Sequence, residues 1–314
     1  MPLPASHTKH LDLLVHSIPR QPDHLLLPLR QISSGSGKSG STGTTGTTLW
    51  LSGQVLSAYL SSVSLPQTLS TTNNNNSNNT LSSSSLSGKN SGVRPQVLEL
   101  GAGIGYTSLC LASTGWDVVS TDIEPVLSGV LRGNIEDGLR VIRANLSLGS
   151  VGGIEVRELD WERVTSCERD TLDWLDQKEW DMIVMTDTFY APHLIGPLWD
   201  TLAYVSTPRI ASTSHPPTST QETRQPPGPL STTMTSKART PPPIYIGIEI
   251  RDPSLISQAL EHGRKRGFEL KKVGRKRVGK EVERWGWKSE DWEGVEVWKA
   301  KWRGGGPAPS AASN

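Results

Sequence analysis

The stretch QVLELGAGIG (Gln96–Gly105) decides the fold of this chain. Its apolar residues predict a short buried strand, its three alternate glycines predict a turn too tight for side chains, and residues 106–114 predict the helix that follows. A second strand at 118–121 ends at Asp122, about 20 residues after the turn. In folds of this kind an acid at that place binds ribose hydroxyls, so the unit is expected to bind a nucleoside.

The details of the turn indicate which nucleoside. A dinucleotide-binding turn has a third glycine where this chain has Tyr106. Glu99 would repel a pyrophosphate, whereas the amino group of S-adenosylmethionine would attract a carboxylate there. The alternative is a plain strand-to-helix corner without a ligand. We predict S-adenosylmethionine rather than NAD as the cofactor, held by Glu99, Gly101, Gly103, Gly105 and Asp122.

Composition reduces the 314 residues to one folded domain. Three segments, at about 33–48, 64–92 and 206–243, consist mainly of Ser, Thr, Asn, Gly and Pro and cannot bury enough apolar surface to offset the cost of ordering. We therefore expect a single domain over residues 1–303, interrupted by disordered polar insertions, and a flexible tail at 304–314.

Several sequence features bear on the compartment and on partners. The N-terminus has no continuous apolar segment, and no 18-residue apolar run occurs, so neither export nor membrane spanning is predicted. Cys110 and Cys167 do not form a disulfide framework, which favours a reducing cytoplasm or nucleus. A net charge of +1 argues against direct nucleic-acid binding. We expect a monomer without a metal site.

Along the chain, apolar patterning predicts an α/β fold with a three-layer, Rossmann-like, seven-stranded and mostly parallel sheet. The N-terminal segments 11–16 and 25–31 read as short strands or an irregular cover. Further strands are predicted at 154–159, 181–186 and 244–250, and helices at 51–62, 125–145, 195–204 and 253–266. Segments 268–273 and 294–302 are predicted to be joined without a helix, as a C-terminal antiparallel hairpin. Ligands should bind at the carboxyl ends of the parallel strands.

Four motifs occur together in this chain: GTTLW ending at Trp50, the glycine turn, LDW at 159–161 and DTFY at 187–190. As a set they resemble the seven-β-strand protein lysine methyltransferases with a DxxY motif, methyltransferase family 16. The resemblance covers about residues 31–302 without the insertions. It implies that Asp160 accepts a hydrogen bond from the adenine amine and that Trp161 packs on the adenine ring. Trp50 is either a core anchor or a wall of the cofactor site. The sequence IEIRDP at 248–253 departs from the pattern and leaves the substrate open.

An acid and an aromatic residue after the fourth strand suit methyl transfer to an amine. Lysine has a pKa of about 10.4, so presenting it as the neutral amine at pH 7 costs about 4–5 kcal/mol. Asp187 could orient the amine, while Tyr190 and Phe189 would line the channel and contact the incoming ammonium. We therefore predict Asp187 and Tyr190 as catalytic residues. The alternative is that Asp187 caps the next helix and Tyr190 is buried.

The basic run at 264–280 is interpreted as a solvated face of the edge hairpin, with docking of an acidic protein surface as the alternative. The sequence thus predicts a protein-lysine N-methyltransferase acting on a protein substrate in the cytoplasm, such as a translation factor, ribosomal protein or chaperone. A small-molecule N-methyltransferase acting on a nicotinamide-like pyridine is a second hypothesis. A non-catalytic cofactor-binding interaction module is a third.

Overall fold

A seven-stranded sheet forms the centre of the molecule. The computed structural model describes residues 2–19, 25–32, 46–63, 94–147, 149–164, 172–207 and 240–304. Its strands are β1 (Leu13–Ser17), β2 (Leu26–Arg30), β3 (Gln96–Leu100), β4 (Asp117–Asp122), β5 (Ile154–Glu158), β6 (Met182–Thr186), β7 (Ile244–Glu249), β8 (Phe268–Lys272) and β9 (Val295–Trp302). β1 and β2 form a separate antiparallel pair.

The large sheet has the order β5-β4-β3-β6-β7-β9-β8. Its first five strands are parallel, and β9 lies antiparallel between β7 and β8. β3 stands at the centre with β4 on one side and β6 on the other, so the chain changes direction across the sheet there. Ligands bind at such a switch point in open α/β sheets. The predicted sheet, with its antiparallel pair at one edge, is confirmed.

Helices cover both faces of the sheet, as expected for strands that are apolar on both sides. They are α1 (Ala5–Thr8), α2 (Leu51–Leu60), α3 (Tyr106–Ser113), α4 (Arg132–Asn145), α5 (Trp161–Val164), α6 (Asp173–Asp176), α7 (Ile195–Ser206), α8 (Pro253–Arg266) and α9 (Arg275–Glu283). Residues of α2, α3, α4 and α9 belong to one apolar core, and residues of α5 to α8 belong to the other. In the parts of the chain that the structure describes, every helix is too short or too polar to cross a bilayer.

Side chains of β7 show how the two cores divide. Ile244, Ile246 and Ile248 belong to the core on the α7 and α8 side. Tyr245 projects to the opposite face, where its ring lies 6.2 Å from that of Tyr59 in α2. This alternation, which is the ordinary period of a strand, determines where the last residue of β7 points.

The prediction that the last two strands join without a helix is wrong, because α9 lies between β8 and β9. Among the many cations of this segment, the two apolar residues Val278 and Val282 are four residues apart, which is a helical spacing. Both are fully buried and pack on the α2 side of the sheet. The exposed basic residues of this segment lie on a helix, not along a hairpin strand: Arg275, Lys276, Arg277 and Lys280.

Two other segments refine the predictions. The predicted helix at 125–145 consists of a π-helical turn at Leu127–Leu131 that continues into α4. The N-terminal segments form the β1–β2 hairpin, which is tied to the core where Asn134 of α4 accepts from the Arg30 N–H at 2.8 Å and Tyr106 donates to the Ser17 carbonyl at 2.8 Å. Cys110 is buried, whereas Cys167 and most of the three polar insertions lie outside the described residues.

Candidate active site

The three glycines after β3 form a cradle that only glycine can build. Gly101, Gly103 and Gly105 have φ angles of 66°, 56° and 82°, in the left-handed region that disfavours side chains. A Cβ at Gly105 would lie 2.8 Å from Ile135 Cδ1, and one at Gly103 would lie 3.0 Å from the carbonyl oxygen of Gly46. The turn is therefore closed to side chains, and the segment before Trp50 crosses directly over it.

Asp122 ends β4 beside this cradle. Its Oδ2 accepts the Gly103 N–H at 2.8 Å, and its Oδ1 accepts the Ile123 N–H at 2.9 Å. Burial raises the pKa of Asp122 to about 6, although these two backbone N–H groups act to lower it. These two hydrogen bonds hold the carboxylate in one orientation beside the turn. Such a fixed carboxylate is suited to accept hydrogen bonds from ribose hydroxyls.

Glu99 lies beneath the cradle and is 1% exposed. The hydroxyl of Ser108, in the first turn of α3, donates to its Oε2. Burial raises the pKa of Glu99 to about 8, and the charge of nearby Asp122 adds to the rise. At pH 7 this carboxyl is therefore mostly protonated in the unliganded chain, and an approaching cation would favour its ionised form. Its contact with a cofactor amine stays a prediction.

Trp161 and Asp160 follow β5 on the neighbouring side of the cradle. The edge of the Trp161 ring lies 3.3 Å from where a Cβ on Gly101 would stand, so the indole lines the turn. The half-buried Asp160 accepts the Glu162 N–H at 3.0 Å, which fixes the start of α5. The buried hydroxyl of Thr188 has no hydrogen-bond partner among the described residues. A closed cradle, an adjacent acid, an aromatic wall and an unpaired hydroxyl fit a nucleoside cofactor.

Trp50 lies at the start of α2 and is only half-buried. The guanidinium carbon of Arg251 lies 4.0 Å from the centroid of its ring. The Trp50 ring thus lies against a cation at the end of β7, next to the acid that follows β6. That Trp50 is a wall of the cofactor site stays a prediction.

Asp187 follows β6 in an unusual conformation. With φ of 51°, it is the one non-glycine residue with a positive φ in the described parts of the chain. Its Oδ2 accepts from the Ser52 hydroxyl at 2.5 Å, and its Oδ1 accepts from the Glu249 N–H at 2.8 Å. These partners lie on α2 and β7, so the alternative of a cap for the next helix is wrong. Backbone strain of this kind concentrates at functional sites.

The Asp187 side chain is only 4% exposed. Burial raises its pKa to about 6, against the lowering effects of its bonds to Ser52 and Glu249 and of the Arg251 charge. The carboxyl is therefore largely ionised at pH 7 and becomes protonated below about pH 6.

The two aromatic residues after Asp187 have different environments. Tyr190 is 43% exposed, so the alternative that it is buried is wrong. Burial of its hydroxyl and the charge of Asp122 both raise its pKa. Phe189, which the sequence placed in the channel, instead packs in the core with its ring 5.8 Å from that of Trp199. Phe189 is buried in the core and Tyr190 is exposed, so Tyr190 is the one of the two that can face the cleft.

Sequence reasoning missed three residues of this site: Ser52, Glu249 and Arg251. Each contacts Asp187 through a hydrogen bond or an ion pair. A signal was present for Glu249, since it is the one charged residue in the apolar strand Ile244–Glu249. Ser52 carries no comparable signal, because a serine in an amphipathic helix is common.

One comparison with known proteins identifies a family of enzymes. A family model described as "Lysine methyltransferase" matches residues 37–214, which is more than half of the chain. A comparison with curated proteins found no match.

Solved structures resembling the chain include precorrin-6y C5,15-methyltransferase from Geobacter metallireducens, at 9% identity, covering 67% of this chain and 80% of that one with a TM-score of 0.35. Magnesium protoporphyrin IX methyltransferase from Synechocystis PCC 6803, with bound SAM, is similar at 12% identity over 66% and 71% of the two chains, with a TM-score of 0.33. An rRNA methylase from Streptococcus thermophilus is similar at 9% identity over 66% and 86%, with a TM-score of 0.36. Similarities this low carry no argument beyond the family match.

Proposed function

Because the chain belongs to the lysine methyltransferase family and is an S-adenosylmethionine-dependent methyltransferase, we propose that it methylates the side-chain amine of lysine in a protein substrate. One observation carries the proposal. Asp187 is held in a left-handed conformation, with its carboxylate fixed by Ser52 and Glu249, at the end of the strand next to the cofactor cradle. A strained, buried acid beside an aromatic residue fits an amine better than an acidic or neutral substrate.

The cofactor side of the site is formed by residues at the ends of β3, β4 and β5. Asp122 would accept the ribose hydroxyls, Trp161 and Asp160 would hold the adenine, and Glu99 would attract the amino group from beneath the turn. When bound, S-adenosylmethionine supplies a methyl group on an electrophilic sulfonium. The three glycines have no side chains, so the backbone of the turn can come close to the cofactor. A Cβ added at these positions would meet Trp161, Gly46 or Ile135.

The substrate side must deliver a neutral amine in line with the methyl group. Alignment contributes more to such a displacement than a strong base does. Asp187 accepts a hydrogen bond from the amine and orients its lone pair, while the faces of Trp50 and Tyr190 exclude water and lower the cost of losing the proton. Since Asp187 is already fixed by two hydrogen bonds, it need not reorganise during the reaction.

The experiment is to incubate the purified chain with methyl-labelled S-adenosylmethionine and a lysate from methylation-deficient cells. We expect label in a discrete protein band, recovered as methyl-lysine after acid hydrolysis, and a strongly reduced rate of labelling with the Asp187→Asn variant. Label recovered only in small molecules would contradict a protein substrate. A nicotinamide-like pyridine nitrogen carries no proton to lose at pH 7, so it would leave Asp187 without a role. We place the target among cytoplasmic proteins such as translation factors, ribosomal proteins and chaperones, and gel mass spectrometry of the band identifies it.

A further inference from the structure

The charges around Asp187 are not balanced. Two carboxylates, Asp187 and Glu249, lie at the ends of the adjacent strands β6 and β7, and one cation, Arg251, accompanies them. Arg251 Nη2 lies 3.6 Å from Asp187 Oδ1. Arg251 therefore compensates Asp187 and leaves one negative charge over. We name this group, together with Trp50, the amine box.

Glu249 belongs to the box by the geometry of β7. Along that strand Tyr245, Gly247 and Glu249 share the face toward α2, since alternate residues of a strand point the same way. A Cβ at Gly247 would lie 3.0 Å from the carbonyl oxygen of Ser52, which shows how close the first turn of α2 comes to this face. The Glu249 side chain, two residues on, projects toward the same turn. That turn also supplies the Ser52 hydroxyl to Asp187.

The carboxylate of Glu249 has unused hydrogen-bonding capacity. Its Oε2 is buried, and among the described residues it has no hydrogen-bond partner. Leaving a buried acceptor unpaired costs free energy, more so when it is charged, so such groups in native structures call for an explanation. The Glu249 backbone is used differently, because its N–H donates to Asp187.

The box already holds one cation. The Arg251 guanidinium lies 4.0 Å from the centre of the Trp50 ring and within ion-pair distance of Asp187. An aromatic face and a carboxylate together bind ammonium and guanidinium groups in the same way. Within the described parts of the chain, the second acid of the box, Glu249, has no ion-pair partner, although it lies beside Asp187.

We infer that Glu249 is a substrate-binding residue, whose free carboxylate oxygen accepts a hydrogen bond from the ammonium of the incoming lysine side chain. The inference rests on the proposed function and specifies how the site recognises its substrate. A lysine ammonium has three donors and one positive charge. It would supply both the missing partner of Glu249 and the missing charge of the box. A substrate with a neutral or acidic group in this place would leave Glu249 buried and unpaired.

The test uses n-butylammonium as a probe of the lysine side chain. The full chain, saturated with S-adenosylhomocysteine and labelled with ¹⁵N-tryptophan, is titrated with n-butylammonium chloride. The indole N–H resonance of Trp50, assigned with a Trp50→Phe variant, reports occupancy of the box. We expect the wild type to show a saturable shift of this resonance, and the apparent affinity for n-butylammonium to be at least tenfold lower in Glu249→Gln. Since n-butanol has the same shape without the charge, it should cause no shift. Glu269→Gln, which removes an exposed acid on β8 paired with Arg303, is the matched control and should bind like the wild type.

Equal binding by the wild type and Glu249→Gln, or no binding by the wild type, overturns the inference. Glu249→Asp, which keeps the charge, should restore part of the affinity, whereas a purely structural role would lower the melting temperature of Glu249→Gln without a selective loss of probe binding. The labelling experiment tests the proposed function separately. If the wild type labels lysine and Glu249→Gln has the same KM for the protein substrate, the proposed function stands and the role of Glu249 is rejected.

Discussion

The guanidinium of Arg251 lies over the ring of Trp50, 4.0 Å from its centre, and is also within ion-pair distance of Asp187. One side chain thus links the segment that crosses the glycine cradle with the acid after β6. The motifs GTTLW and DTFY, which are 137 residues apart when counted from Trp50 to Asp187, meet through a third element at the end of β7.

The first prediction concerns Arg251→Gln. The charge of Arg251 lowers the pKa of Asp187, so its removal should raise that pKa further above its ordinary value. If the ionised carboxylate is the active form, the acidic limb of the kcat/KM profile moves to higher pH. A partly exposed ion pair is worth up to about 1 kcal/mol, so activity at pH 6 should fall about two- to fivefold. Arg284→Gln, which removes a comparable surface pair with Glu281, is the control, and a superimposable pH profile for Arg251→Gln would show that Arg251 does not act on Asp187.

The second prediction separates catalysis from cofactor binding. Asp187→Asn keeps the shape of the side chain, and asparagine tolerates the left-handed backbone at φ 51°. We expect turnover to fall roughly a hundredfold or more, the range for a positioned acid or base, with cofactor affinity nearly unchanged. Tyr190→Phe removes only a hydroxyl and should have a smaller effect. Full activity of Asp187→Asn on a lysine substrate would remove the main support for the proposed function.

The third prediction tests whether Glu99 meets the cofactor amine. With a pKa of about 8, Glu99 holds a proton at pH 7, and a cation beside it would release that proton. Calorimetry of S-adenosylhomocysteine binding at pH 7, in buffers of different ionisation enthalpy, should therefore show proton release that is lost in Glu99→Gln. Release that persists unchanged in the variant would assign the proton to another group.

The same residue makes the unliganded chain depend on pH. The folded pKa of Glu99 lies above the unfolded value of 4.5, so the folded state binds more protons between about pH 4.5 and 8. Stability from this group is greatest below pH 4.5 and is lost as pH rises toward 8, by about 1.4 kcal/mol per pH unit at most. Melting curves of wild type and Glu99→Gln measure this contribution as the difference between their pH slopes.

The fourth prediction tests the cradle. Gly101→Ala would place a Cβ 3.1 Å from Thr188 Cγ2 and 3.3 Å from the Trp161 ring, at a φ of 66°. The added methyl group would have to displace Thr188, the Trp161 ring or the turn itself, because the left-handed backbone already costs an alanine about 1–2 kcal/mol. Since these groups line the predicted cofactor site, cofactor affinity should fall about tenfold or more. Gly274→Ala, where a Cβ would have nothing within 4 Å, is the control and should bind normally. Normal binding by Gly101→Ala would mean that the turn does not approach the cofactor.

The fifth prediction concerns the polar insertions. Replacing residues 65–92 and 208–239 by ten-residue Gly/Ser linkers should leave cofactor affinity unchanged, because each doubling of loop length changes the closure cost by only about 0.6 kcal/mol. Titration calorimetry of the shortened chain provides the measurement. A loss of affinity would show that these segments contribute to the site.

Much of the fold was predictable because its central strands are apolar on both faces and its glycines mark a tight turn. Val97, Leu98 and Leu100 identify β3 without further context, and the spacing to Asp122 follows from the βαβ unit. The helix α9 was not predictable in the same way, because its apolar face consists of only two valines, Val278 and Val282, within a run of cations. Glu249 and Arg251 come together with Asp187 through pairing of β7 with β6, and no local pattern encodes that pairing.

The bond between Arg30 and Asn134 also sets an order of events during synthesis. The two residues are 104 positions apart, so at about 5–20 residues per second the hairpin that contains Arg30 waits roughly 5–20 s for the helix that receives it. During that interval Leu27 and Leu29, which are fully buried in the finished fold, lack their final cover. The β1–β2 hairpin therefore exposes these two leucines on the ribosome until α4 has been synthesised.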